Sequence, residues 1–345
     1  MLNGAPSVEI ERRTQLEQAL SRRKGAAIIV AESSGAFFVR AASGALSDYS
    51  GLLTLGHGHV SLLAGQPLGL GGSDKRDHEL IDGGLASGDC APLRTSRGVF
   101  CGSRYAAAPN GFSLQLFGDK LGVRPIYYWH GPDMVLFATA LRILEALPFI
   151  PKVRDDVAVV ETIAHGFPLA DRTRFADVRL LREGELLRFD RDGCSAETYW
   201  RWQDISQSCM RGATAANAAY AVFRDAIEVR RGTEDQVVAF LSGGMDSRAI
   251  VSVLHESGAA VQTLNFAPDR SQDQVFARGY AEQIGVPFLS FPRDGAPPQG
   301  FRVALAEIVR ELVDAGNFSA ARPAAPWSGD GGSVSLGNVY LDDQV

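Results

Sequence analysis

The stretch Gln236 to Gly258, QVVAFLSGGMDSRAIVSVLHESG, constrains this chain more than any other. VVAFL is a short, wholly apolar run of the kind buried on both faces as a parallel strand. After SGGMDS, apolar residues return at helical spacing until Gly258 stops them. The same unit repeats downstream: VQTLNFA reads as a strand, DQVFARGYAEQIG as a helix, VPFLSFP as a strand and FRVALAEIVRELVDAG as a helix. Strands alternating with helices predict a parallel sheet with right-handed crossovers.

In such a sheet SGGMDS falls at the carboxyl end, where open α/β sheets hold ligands. Gly243 and Gly244 leave no side chain between the main-chain N–H groups and an anion. Ser242 and Ser247 add hydroxyls, and the positive end of the helix dipole points to the same place. Asp246 is out of place beside phosphates unless a divalent cation lies between, since Mg²⁺ takes one or two carboxylates plus phosphate oxygens. A bland alternative is a Gly-rich turn with Asp246 as the helix cap. No Gly-Lys-Ser/Thr follows, so this is not a Walker loop.

The sequence has 345 residues, enough for two ordinary domains. Up to about residue 200, the runs AAIIVAE, GAFFVRA, HVSLLAG, GVFCGSRY, FSLQLFGD, PIYYW and MVLFATA have strand length and content. Helices are predicted at 138–147 and 156–165, and GELLRFDRDG as a strand ending in an Asp-Gly turn. The predicted fold is an α+β amino-terminal sandwich followed by an α/β parallel-sheet domain. The texture changes at 200–212, which gives predicted domains 1–205 and 206–345. The net charge of −6 comes from charges mixed along the whole length, which argues against nucleic-acid and membrane partners. No signal-like or spanning apolar run is present, so a cytoplasmic location is expected. Cys90, Cys101, Cys194 and Cys209 share no C-x-x-C spacing and suggest neither disulfides nor zinc. His57 and His59 alternate on GHGHV without a nearby third ligand, which favours a structural role.

The hexapeptide SGGMDS resembles the signature of the ATP pyrophosphatase superfamily. GDKLGVRPIYYW (118–129) followed by LFATALRILEAL, the segment from HGFPLADRTRF to TYW (165–200), and PWSGDGGSVSLG (326–337) resemble the asparagine synthetase family. The resemblance implies a glutaminase-like domain of the N-terminal nucleophile hydrolase type, then a domain using ATP and Mg²⁺ to activate a carboxylate. It places Leu241 against adenosine through its backbone, Ser242, Gly243, Gly244, Asp246 and Ser247 on the pyrophosphate, and Phe266 at adenine. Ser328 and Gly329 match the later nucleotide contact, Asp330 the family's acidic position, and Asp246 the metal ligand. No residue matches the family's basic catalytic position.

Three departures stand out. The family's nucleophile is a cysteine at position two, whereas this chain begins Met-Leu-Asn, and the family's Asn-Gly-Glu segment best matches Ala64-Gly65-Gln66. Without thiol or oxyanion donor the glutaminase is expected to be degenerate. The second metal carboxylate is replaced in Gly332-Ser333-Val334. The sequence ends shortly after Asp330, so the second domain is expected to be truncated. Family members with a dead glutaminase include β-lactam synthetases and lasso-peptide cyclases, in which an amine within the substrate closes a ring. The leading expectation is an ATP-dependent amide-forming ligase, adenylating a small-molecule or peptide carboxylate and releasing AMP and pyrophosphate, with a precursor peptide or accessory protein as a further partner. The readings left open are asparagine synthesis from ammonia, lasso-peptide macrocyclisation, another superfamily ligase, and a non-catalytic nucleotide-binding scaffold.

Overall fold

Strands whose successive side chains point to opposite faces, both of them buried at the centre of the sheet, build the first half of the molecule. The computed structural model describes residues 13–16, 18, 27–33, 35–42, 49–54, 56, 58–108, 111–291 and 326–329. Packing divides the chain into Met1–Ser208 and Cys209–Val345.

In the first unit β1 (Ala27–Ser33) and β2 (Ala36–Ala42) form a hairpin. A six-stranded antiparallel sheet contains β3 (Leu52–Thr54), β4 (His59–Leu68), β5 (Arg97–Ala108), β6 (Gly111–Gly118), β10 (Glu185–Asp190) and β11 (Gly193–Thr198), in the order β11-β10-β6-β5-β4-β3. A three-stranded sheet orders β8 (Val135–Ala138), β7 (Tyr127–His130) and β9 (Val178–Leu180). One face of the large sheet, with Val60, Tyr105, Leu116 and Phe189, packs with Phe38 of the hairpin and with Tyr128 and Phe137 of the small sheet. The other face, with Leu63, Phe100, Phe117 and Leu186, packs on Ile81, Leu85 and Leu93. These last belong to helices α1 (Asp74–Ser87) and α2 (Ala91–Thr95), so the sandwich has helices on its outer side.

The helix α1 turns polar residues inward. His78 is fully buried, with Tyr49 Oη 2.8 Å from its Nδ1 and Ser61 Oγ 2.9 Å from its Nε2. Burial, then the charges of Arg40 and His59, push its imidazole down to about 3, so the ring is neutral at ordinary pH. Between β6 and β7, buried Asp119 accepts from the backbone N–H groups of Phe100 (3.3 Å), Leu121 (3.0 Å), Val123 (3.2 Å) and Arg124 (3.2 Å). The GDKLGVRP segment is thus wound around one carboxylate. After it, α3 (Leu141–Glu145) is shorter than the predicted 138–147, because Ala138 still belongs to β8 and Ala140 is extended. The helix α4 (Asp156–His165) is capped by Asp155 and ends at left-handed Gly166.

The second unit begins with α5 (Gly212–Arg231) and carries the parallel sheet β12 (Gln236–Phe240), β13 (Ala260–Asn265), β14 (Phe288–Ser290), in that order. Helices α6 (Met245–Glu256) and α7 (Gln272–Ile284) are the crossovers. Val237, Ala239, Val261, Val251, Leu254, Ala277 and Ala281 form the core between sheet and helices. On the other side of β12, Trp327 bridges Ala239 in parallel. The predicted helix FRVALAEIVRELVDAG and the loop 292–300 lie outside the described residues.

Candidate functional site

The carboxyl ends of three parallel segments converge on the SGGMDS turn. β12 runs into buried Leu241, whose N–H donates to Leu264 O (2.9 Å) and whose carbonyl accepts from Asn265 Nδ2 (2.8 Å). Leu241, expected to meet a base through its backbone, therefore has both main-chain groups engaged within the unit. Gly244 is the extended residue before α6, with no side-chain cap, so Asp246 is not the helix cap.

Three of the loop's amides are satisfied internally. Ser242 N–H donates to Ser247 Oγ (3.0 Å), Gly243 N–H to Asp273 Oδ2 (3.0 Å) and Gly244 N–H to Ser242 Oγ (3.2 Å). Ser242 Oγ and Ser247 Oγ lie 2.8 Å apart. In this structure the glycine amides, expected to face an anion, are thus bonded within the unit. Instead, the amides of Met245 and Asp246, in the first turn of α6, find no acceptor among the described residues. These two open donors, the Ser242 hydroxyl and the helix dipole define an anion-facing helix start.

The glycines have another use, which is close approach. A methyl on Gly243 would stand 3.1 Å from Asp273 Cα and 3.2 Å from Phe276 Cβ. One on Gly329 would stand 2.7 Å from Ser247 N and 3.1 Å from Asp246 Cβ. Trp327 N–H donates to Val238 O and Phe240 N–H to Trp327 O, both 2.8 Å, which delivers Ser328 and Gly329 to the start of α6. Two motifs far apart in sequence are thereby brought together. Both neighbours of β12, namely β13 on one side and the Trp327 bridge on the other, come from later in the chain, so the strand order reverses at β12, the position at which open α/β sheets form their crevice.

Beside the loop, Phe266 follows β13 and is half-buried. Its ring meets Phe240 edge-on at 5.7 Å and stacks on Phe291 at 5.9 Å and 26°. Asp246 is exposed and pairs with no cation among the described residues. Among those residues no three His, Cys, Asp or Glu side chains are grouped for a metal. A cation here would be held by Asp246 with ligand oxygens and water, the habit of Mg²⁺. Asp330 and Gly332-Ser333-Val334 lie outside the described residues. Asn265 and Asp273, which fasten the loop, were not singled out from the sequence, since their partners lie far off along the chain.

In the first unit, Ala64-Gly65-Gln66 lies in β4, opposite Cys101, Phe100 and Val99. Gly65 has φ +91°, and a Cβ there would stand 2.2 Å from the Val99 carbonyl oxygen, which leaves no room for a side chain. Burial raises the thiols of Cys90, Cys101 (to about 12) and Cys194, so none of the three is an activated thiolate. His59 Nε2 lies 3.1 Å from Asp82 Oδ1, a hydrogen-bond partner on α1, and among the described residues no metal-ligating group of three includes it, while His57 lies outside the described residues. No described helix is long and apolar enough to cross a membrane.

Comparison with known proteins gives two domain matches. Residues 92–200 match the glutamine amidotransferase domain and residues 218–298 the asparagine synthase domain. Over 136 residues the chain is 29% identical to asparagine synthetase (glutamine-hydrolyzing) 3 of Bacillus subtilis, covering 39% of this chain and 22% of that protein. Over 143 residues it is 29% identical to putative asparagine synthetase (glutamine-hydrolyzing) 2 of Methanocaldococcus jannaschii, covering 40% and 27%. Over 218 residues it is 25% identical to carboxyethyl-arginine beta-lactam-synthase of Streptomyces clavuligerus, covering 62% and 39%. The chain thus matches less than half the length of each of these relatives.

Proposed function

With a glutamine amidotransferase domain followed by an asparagine synthase domain, the chain has the domain make-up of the asparagine synthetase family, and we propose that it is an ATP-dependent amide-forming ligase. A carboxylate substrate attacks the α-phosphorus of ATP, pyrophosphate leaves, and an amine then displaces AMP from the activated carboxyl to form the amide. The observation that carries this reading is the start of α6, where the open amides of Met245 and Asp246 meet Ser242, Asp246 and the close-packed Gly329.

Each residue has a physical task. The Met245 and Asp246 amides and the Ser242 hydroxyl bind the pyrophosphate oxygens, and the helix dipole favours the negative charge that grows there as the bond breaks. Asp246 would hold Mg²⁺ here, and that ion would supply neutralisation of the charge on the leaving pyrophosphate. Phe266 and Phe291 offer a flat apolar surface to adenine. Holding base and phosphates at fixed places aligns the α-phosphorus with the incoming carboxylate, an entropic advantage.

The amide nitrogen is not supplied by a glutaminase of this chain. In support, the Cys90, Cys101 and Cys194 thiols are held protonated, and Gln66 stands where the family has an acidic residue, its amide donating to Asp74 Oδ1 (3.1 Å). The amine then comes from ammonia or from the substrate itself. A relative matched over 62% of this chain is a beta-lactam-synthase, which favours an amine within the substrate and hence ring closure. Exchange of labelled pyrophosphate into ATP, run with a panel of carboxylates and amino-substituted carboxylates, tests the proposal. Exchange dependent on one carboxylate class and on Mg²⁺ supports it. Tight ATP binding without exchange for any of them would instead identify a nucleotide-binding scaffold.

A further inference from the structure

The loop and the aromatic surface are joined by a continuous set of hydrogen bonds across the sheet's carboxyl edge. Phe291 N–H donates to Asn265 O (2.8 Å). The Asn265 side-chain amide donates to Leu241 O (2.8 Å) and to Asp273 Oδ1 (3.0 Å). Asp273 Oδ2 accepts from Gly243 N–H (3.0 Å). Asn265 Oδ1 accepts from Ala267 N–H (3.0 Å), just past Phe266. Asn265 is 3% exposed, so its amide has no water to fall back on.

Asp273 is an anion placed beside an anion-facing loop, and by charge alone it opposes phosphate binding. Its position is explained by geometry. It is the group that fixes Gly243 to the ends of β13 and β14.

We propose that Asn265 and Asp273 are positioning residues that set the distance between the Phe266–Phe291 base surface and the start of α6, so that the two ends of one nucleotide are bound together more tightly than either alone. The inference rests on the nucleotide reading above. Its physical content is effective concentration: once one end of ATP is bound, the gain from the other end depends on how rigidly the two subsites are held apart.

Asp273→Asn tests this with little change of shape. A carboxylate accepts on both oxygens, whereas an amide presents one N–H₂ group, which must face either the Gly243 N–H or the Asn265 Nδ2 donor. One of the two bonds is therefore lost. Charge and tether then predict opposite signs. If Asp273 acts only through its charge, removing it tightens ATP binding.

If it acts as a tether, ATP binding weakens by about tenfold or more. Adenosine and pyrophosphate, titrated separately with Mg²⁺, should each change by less than about twofold, because each subsite survives by itself. Asp273→Ala gives a second reading should the first variant unfold, since Asp273 is half-buried and the freed Gly243 N–H reaches water. Calorimetric titration of wild type and variants with Mg·ATP, adenosine and pyrophosphate, beside thermal melts, reads out all arms. Equal losses for ATP and for its fragments would mean a merely structural role and overturn the proposal, as would unchanged or tighter ATP binding. A wild-type chain that binds none of the three would sink the nucleotide reading itself, which is a distinguishable result.

Discussion

Gly329→Ala isolates the contact between the two halves of the site. Gly329 carries no positive φ, so alanine meets no backbone penalty there and the cost is one of space. The new methyl would stand 2.7 Å from Ser247 N and 3.1 Å from Asp246 C and Cβ, against 3.4 Å and above for ordinary contact. Either the first turn of α6 or the segment after Trp327 must retreat by about 0.7 Å, and overpacking of one methyl costs about 1–3 kcal/mol. The expected melting point of the second unit falls by several degrees. Because the moving atoms are those of Asp246 and Ser247, Mg·ATP affinity should fall about five- to thirtyfold. Gly279→Ala, in the middle of exposed α7, is the control: its methyl meets no atom within 4 Å and should stabilise by up to about 1 kcal/mol. Circular dichroism melts and calorimetric titration of both variants are the assay. A Gly329→Ala protein that melts and binds as the wild type would refute the close approach.

Other expected outcomes concern the first unit. His78 has its folded-state value depressed from 6.5 to about 3, so the unfolded chain takes up the proton first. Its contribution is present above pH 6.5 and is lost as pH falls toward 3, about 2–3 kcal/mol between pH 7 and 4.5. Urea unfolding at several pH values should show this slope in the wild type and lose it in His78→Gln; an identical slope in the variant would refute the assignment to His78. The neighbouring glycines of α1 should behave oppositely: Gly83→Ala meets no atom within 4 Å and raises the melting temperature, whereas Gly84→Ala meets the Asp89 carbonyl and Pro92 at 2.8 Å and lowers it. Asp119→Asn turns its N–H₂ group toward two of the four backbone donors, either those on Oδ1 or those on Oδ2, and should cost about 2–4 kcal/mol in urea unfolding, the penalty of two stranded N–H groups.

Where a segment's pattern reflected one dominant force, the sequence was readable. The apolar run VVAFL, the two glycines and the amphipathic SRAIVSVL predicted β12, the turn and α6, and the seven amino-terminal strand runs each overlap a strand, though β4 and β5 run longer and β8 shorter than predicted. Strand β7 is displaced past Pro125 and Ile126. The helix α1 was invisible because its inward face carries Asp77, His78 and Asp82, and Gly83 and Gly84 interrupt it. Polar groups satisfied across the fold erase the apolar stripe on which helix recognition depends. The candidate site stood out for the same reason in reverse: Ser242 to Ser247 is a contiguous, chemically odd run. Asn265 and Asp273 gave no such signal. Their meaning lies in hydrogen bonds to Leu241 and Gly243, which no local spacing encodes.

The lone bridge between Ala239 and Trp327 also has a kinetic meaning. Its partners are about 90 positions apart in the chain, so it closes a long loop, and contacts of that span form late in folding. A ligand that touches both Ser242 and Gly329 can engage only after this edge has zipped. It would leave the folding rate alone and slow the reverse step, acting as a latch on the last strand to arrive. Hydrogen exchange at the Phe240 and Trp327 amides should then slow with added Mg·ATP more than at the amides inside β13.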